Sequence, residues 1–137
     1  MQNPPPVQTT TKSSTGLDEN IAALLSYVFG WVSGLIFFLI EKDSRLVRFH
    51  AMQSILLNVC IAILGVVIWI ITFVLIIIGA AAGDVIGMIF SLLATLIWVV
   101  FSIALLIAWI MCLIKAFQSQ YFKLPVIGNL AEKFSAK

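Results

Sequence analysis

The sequence predicts an all-α, polytopic membrane protein of three transmembrane helices, and three observations carry that prediction. No Asp, Glu, Lys or Arg occurs between Asn20 and Glu41, between Arg48 and Asp84, or between Asp84 and Lys115. Placing such a charge at the centre of a bilayer costs about 2.5 to 3.5 kcal/mol, so runs that exclude them read as segments built for lipid. Hydrophobic residues make up 62% of the 137 and charged residues only 10%, more apolar surface than a water-soluble domain of this size buries. The basic residues also flank the apolar runs, as expected of groups that meet lipid headgroups.

Residues 1–16 are rich in Pro, Gln, Thr and Ser and include the run Pro4, Pro5, Pro6. They hold too little apolar surface to offset the entropy of ordering, and are expected to be a disordered polar tail. The transmembrane domain is expected over 17–114. Its first helix, 18–40, opens where Thr15 and Asp18 resemble a capping pair and Asp18 and Glu19 suit the positive end of the helix dipole. Ile21 to Ile40 is twenty residues, about 30 Å of helix, which matches the hydrocarbon thickness. No small-residue cleavage pattern follows it, so it is expected to be retained rather than removed as a signal peptide.

After the polar connection Glu41 to Ser44, the second helix is expected over 45–78, with 45–54 as its interfacial lead-in. Gly79, Gly83, Asp84 and Gly87 supply the turn, and a third helix follows over 86–114. That length exceeds a perpendicular crossing, so it should tilt or project. Residues 115–137 are mixed in character. Asn129 and Glu132 form a plausible cap before Leu130 and Phe134, giving an amphipathic, interfacial C-terminal tail.

With three crossings, Lys42, Arg45, Arg48, Lys115, Lys123, Lys133 and Lys137 share one side and Lys12 lies opposite. That bias predicts a cytoplasmic C-terminus and an outside N-terminus, in the cell membrane of a bacterium, its inner membrane.

Helix two has two polar faces. His50, Gln53, Ser54 and Asn58 cluster on one side and read as a polar network or a polar path, since amides and imidazoles near hydrocarbon need partners. Arg45 and Arg48 lie on another side and read as contacts to anionic headgroups. On helix one, Ala22, Ser26, Gly30 and Gly34 recur every four residues and form a helix-packing face. Gly87, Ser91 and Thr95 form a comparable line on helix three, as do Ala104, Ala108 and Cys112. Cys60 and Cys112 sit in apolar runs as small hydrophobes, with no disulfide expected.

Catalytic patterns are lacking: no nucleophile elbow, no two-histidine zinc helix and no glycine-rich phosphate loop followed by Lys occurs. One histidine makes a poor start for a metal or haem site. No catalytic residue, cofactor or metal is therefore expected, and the small net charge of +2 gives no reason to expect nucleic acid.

The run TGLDENIAALLSYVFGWVSGLIFFLIEKDSRLVRFHAMQS and the tail KAFQSQYFKLPVIGNLAEK resemble the small bacterial and archaeal membrane proteins grouped as Tic-twenty-like, related to an inner-envelope component of chloroplast protein import. The resemblance implies a membrane protein; most bacterial members have no assigned activity, while the chloroplast relatives are associated with a protein-conducting channel. The family pattern falls on Arg48, Phe49, His50, Gln53, Pro125, Gly128 and Glu132, with no catalytic role implied for any of them. The chloroplast protein is described with four crossings, against three here. The expected function is accordingly a non-enzymatic membrane protein, embedded in a lipid bilayer, that acts as a homo-oligomer or with other membrane proteins. An oligomeric channel for polypeptide or small solute is the alternative, and a membrane enzyme or cofactor carrier using His50 the second.

Overall fold

The computed structural model describes residues 11–136 and is helical throughout: α1 (Glu19–Val28), α2 (Trp31–Ile40), α3 (Arg45–Ala81), α4 (Asp84–Phe117) and α5 (Ile127–Ser135). Of the tail expected to be disordered, residues 1–10 lie outside the described residues, while Thr11 donates to the Glu19 carboxylate and Ser14 to the Glu41 carboxylate. The chain divides into two units. One contains the chain up to Leu57 together with everything from Cys112 onward; the other is Asn58–Met111.

In the first unit, the single helix expected over 18–40 is two helices of ten residues each. Ten residues rise about 15 Å, half the hydrocarbon thickness. The break falls at Gly30, whose φ of 64° and ψ of −135° suit glycine and almost nothing else. The two helices then fold back, because the ends of the segment meet. Ser14 N–H donates to both Glu41 carboxylate oxygens at 3.0 and 3.1 Å, and Lys42 N–H donates to Ser14 Oγ at 3.0 Å. The Ser44 hydroxyl donates to the Glu19 carboxylate, tying the start of α1 to the start of α3. Residues on either side of 19–40 are thus neighbours, and the twenty-residue crossing expected there is a broken hairpin.

The core of this unit is Ala22, Ala23 and Tyr27 of α1, Val47 of α3, and Cys112 and Ala116 of α4, with Phe37, Leu113 and Leu124 packed around it. Small residues let backbones approach. A Cβ on Gly34 would stand 2.9 Å from the Ala51 carbonyl oxygen and 3.1 Å from Ser54 Cβ, so α2 lies directly on α3. The C-terminal segment turns through Ser119 and Val126, both at positive φ, before α5. That helix begins at Ile127, earlier than the cap expected at Asn129, with Val126 at the N-cap position and no side-chain cap. It buries Gly128, Ala131 and Ser135 and leaves Leu130 and Phe134 exposed.

The second unit is the hairpin of the remaining α3 and α4, turning at Gly83, which has φ 104°. Gly79 and Gly87 face each other across it; a Cβ on Gly79 would stand 2.8 Å from Phe90 Cβ. Further along, Trp98 Nε1–H donates to Thr72 Oγ1 at 3.3 Å, and that hydroxyl donates in turn to the Ile68 carbonyl at 2.8 Å. Only Thr72, Gly79 and Ala94 are buried here, while Ile, Leu, Val and Phe side chains stand outward on both helices. Such a surface needs an apolar solvent. Of the described helices, α3 and α4 are the two long and apolar enough to cross a bilayer.

Candidate functional site

Breaking a helix away from water strands backbone donors and acceptors, each costly unless satisfied. The polar side chains of the first unit meet that need. Ser33 Oγ accepts the Phe29 N–H at 3.1 Å and lies 3.1 Å from the Ser26 carbonyl oxygen, to which it donates. Ser54 reaches across from α3 and donates to the Gly30 carbonyl at 3.0 Å. Ser26 donates to Ala22 O one turn back along α1.

Beside the break lies a buried chain of hydrogen bonds. His50 Nε2 is 2.9 Å from the Gln120 carbonyl, which only accepts, so Nε2 carries the proton. Nδ1 then accepts from the Tyr27 hydroxyl at 3.0 Å, and that hydroxyl accepts from Gln53 Nε2 at 3.0 Å. Gln53 also donates to the Phe122 carbonyl at 3.0 Å and accepts the Leu124 N–H at 3.4 Å. Tyr27, His50, Gln53 and Ser54 are each 1% exposed or less, so the network is enclosed by protein. It joins α1, α3 and the segment 120–124.

His50, Gln53 and Ser54 are therefore brought together as expected of residues on one face of a helix, each bonded to the chain itself. Asn58 is half-buried and belongs to the second unit. Tyr27 was not foreseen, although a tyrosine in the middle of an apolar run is itself a signal, because its hydroxyl must find a partner there.

The two arginines, expected to act alike, differ. Arg48 donates to the Glu41 carbonyl at 2.9 Å and to the Ser135 carbonyl at 3.4 Å, with its guanidinium 4.7 Å from the Phe38 ring centre. It holds the hairpin's exit and the end of α5. Arg45 is exposed, with no hydrogen bond or ion pair among the described residues. Glu41, expected only as part of a polar connection, is fully buried. Burial pushes its carboxyl up, but donors from Ser44, Ser14 and Asp43 outweigh that and hold it below its ordinary value.

The small-residue face of helix one is used inside the subunit: Ala22, Ser26 and Gly34 are buried and Gly30 is half-buried. Ser91, Thr95 and Ala104 of α4 are exposed. Cys60 and Cys112 are free thiols.

Long charge-free helices with outward apolar side chains, and polar groups closed on themselves, define a helical membrane protein. The chain belongs to the magnetosome magnetite crystal formation protein family, which it matches over residues 16–131. It is 39% identical over 124 residues to a UPF0132 membrane protein of Methanocaldococcus jannaschii, covering 90% of this chain and 94% of the relative. A second protein of that name in the same organism is 35% identical over 119 residues, 87% of this chain and 71% of the relative. A UPF0132 membrane protein of Archaeoglobus fulgidus is 32% identical over 117 residues, 85% of this chain and 95% of the relative. No solved structure matches it.

Proposed function

We propose that the protein is a non-enzymatic membrane component that crosses the bilayer twice and acts by associating with further copies of itself through α4. The observation that carries the assembly is the contrast between its small-residue faces. The one on α1–α2 is consumed within the subunit, whereas Ser91 and Thr95 of α4 stand outward, where close helix contact is the main source of association in lipid. Disulfide crosslinking of Ser91→Cys and Thr95→Cys in native membranes, with Cys60→Ser as background, tests it. Dimeric products are expected from both, and those of Ser91→Cys should disappear when Thr95→Leu is added; monomers alone overturn the assembly.

The topology rests on a separate observation, the meeting of Ser14 with Glu41. With α1–α2 dipping in and returning, α3 and α4 are the two crossings. All eight Lys and Arg residues then share one side, against none on the other; the three-crossing scheme leaves Lys12 opposite. The stronger bias favours two crossings with that side cytoplasmic, in a bacterial inner membrane or its archaeal equivalent. Cysteines at Thr15, Lys42 and Lys133 should react with an impermeant maleimide from the cytoplasmic face and one at Ala82 from the other. Thr15 and Lys42 labelling from opposite faces restores three crossings.

A second reading is an oligomeric conduit, favoured by the broken hairpin, because irregular backbone at membrane depth commonly lines a water-filled path. The resemblance to Tic-twenty-like proteins supports it. It requires His50 and Gln53, enclosed by protein within the single chain, to open onto a pore on assembly, and absence of flux through reconstituted liposomes dismisses it. Magnetite crystal formation, named by the family's description, is one process such an assembly would serve.

A further inference from the structure

Between the start of α3, Tyr121 and the end of α5 lies a cavity of about 290 Å³, lined by Arg45, Phe49, Tyr121, Glu132, Ser135 and Ala136. We propose that it binds the zwitterionic headgroup of a phospholipid, an aminophosphate such as phosphoethanolamine, with the phosphate on Arg45 and the ammonium beside Glu132.

The lining has two poles. Arg45 presents a guanidinium with no hydrogen bond or ion pair among the described residues, whereas Arg48 is committed to the Glu41 and Ser135 carbonyls. A free guanidinium in a cavity suits phosphate, whose oxygens match its paired donors. The lining also holds the carboxylate of Glu132, near the end of α5, where the helix carbonyls carry the negative end of the dipole. A simple anion meets repulsion there, and a simple cation meets it at Arg45. A zwitterion satisfies both.

Glu132 is held by Lys123 at 2.6 Å, but both side chains are well exposed, at 59% and 40%, and an exposed pair contributes only about 0 to 1 kcal/mol. It can therefore be shared with an ammonium group at little cost. The exposed Tyr121, whose ring packs 5.4 Å from that of the buried Phe49, gives the cavity an aromatic face of the kind that attracts ammonium groups. Its charged residues belong to the segments flanking the apolar runs, which places it at headgroup depth.

The test is native mass spectrometry of the full chain in mild detergent, titrated with dilauroyl phosphatidylethanolamine, dilauroyl phosphatidylglycerol and free phosphoethanolamine. Phosphatidylethanolamine should bind at least tenfold tighter than phosphatidylglycerol. Arg45→Gln should lose that preference and most of the binding, while Lys42→Gln, at an exposed lysine outside the cavity, should not. Free phosphoethanolamine competing at millimolar concentration assigns recognition to the headgroup alone; failure to compete, with lipid binding intact, assigns it to the membrane-borne lipid. Equal or tighter binding of phosphatidylglycerol, or full binding by Arg45→Gln, overturns the proposal. Should Arg45→Gln fail to fold, Ala136→Trp, which fills the cavity from its exposed rim, must abolish the binding instead.

Discussion

Gln53 shows how one side chain supports the packing around a broken helix. Its amide donates to Tyr27 and to the Phe122 carbonyl and accepts from Leu124, so removing it orphans groups on two other segments at once. Leaving a buried polar group unsatisfied costs about 1 to 3 kcal/mol. Gln53→Leu should therefore lower the thermal midpoint in detergent clearly, and Tyr27→Phe should lower it less, because His50 then loses one donor but keeps Gln120. Equal midpoints for wild type and Gln53→Leu would mean that the network contributes nothing. Glu41 adds a pH dependence. Its folded carboxyl lies below the ordinary value of about 4.3, so it contributes stability that is fully present above that value and is lost as pH falls through the folded pKa. Wild type should destabilise on acidification below about pH 4. Glu41→Gln, which cannot gain a charge, should be less stable at neutral pH and respond less to acid. Parallel profiles for the two would remove Glu41 from the account.

At the scale of elements, α2 depends on its closeness to α3. A side chain at Gly34 meets the Ala51 carbonyl, which is backbone and cannot step aside. Gly34→Leu should cost about 1 to 3 kcal/mol by overpacking and should expose Tyr27 to solvent quench, read by fluorescence. An unchanged midpoint would show that α2 is free to move off α3. Gly30→Val should act differently, straightening the break rather than separating the helices, since valine is excluded from its backbone conformation. The two long helices were legible in the sequence because charge-free length is a composition signal. The break between α1 and α2 was not. Hydropathy is blind to φ, and Gly30 fits the four-residue spacing of small residues so well that its backbone role was hidden behind its packing role. The partner of Glu41 was also out of reach, because Ser14 lies 27 residues away and nothing local marks it. His50, Gln53 and Ser54 were found from helical spacing, yet what they bind is largely main-chain carbonyl, at Gln120, Phe122 and Gly30, which leaves no trace in residue identity.

For the molecule as a whole, charge decides which way the helices α3 and α4 insert. If the α1–α2 hairpin returns to its starting side, every Lys and Arg competes in the same direction and the turn at Ala82–Gly83 carries no positive charge at all, only Asp84. Such a chain has a single preferred orientation and a large margin before it loses it. Adding lysines to the turn is therefore a quantitative probe of the count. Ala81→Lys with Ala82→Lys leaves eight positives against two and should keep a C-terminal reporter wholly cytoplasmic. Under three crossings the same turn already lies with Lys12, so the pair raises that side from one to three against seven. Removing Lys42, Arg45 and Arg48 as well then distinguishes the schemes: five against two under two crossings, four against three under three. A reporter that remains on one side in the combined variant agrees with the hairpin. An even mixture of orientations, with expression matched to wild type, would show that the first apolar segment crosses after all, and that the contact between Ser14 and Glu41 does not hold in the bilayer.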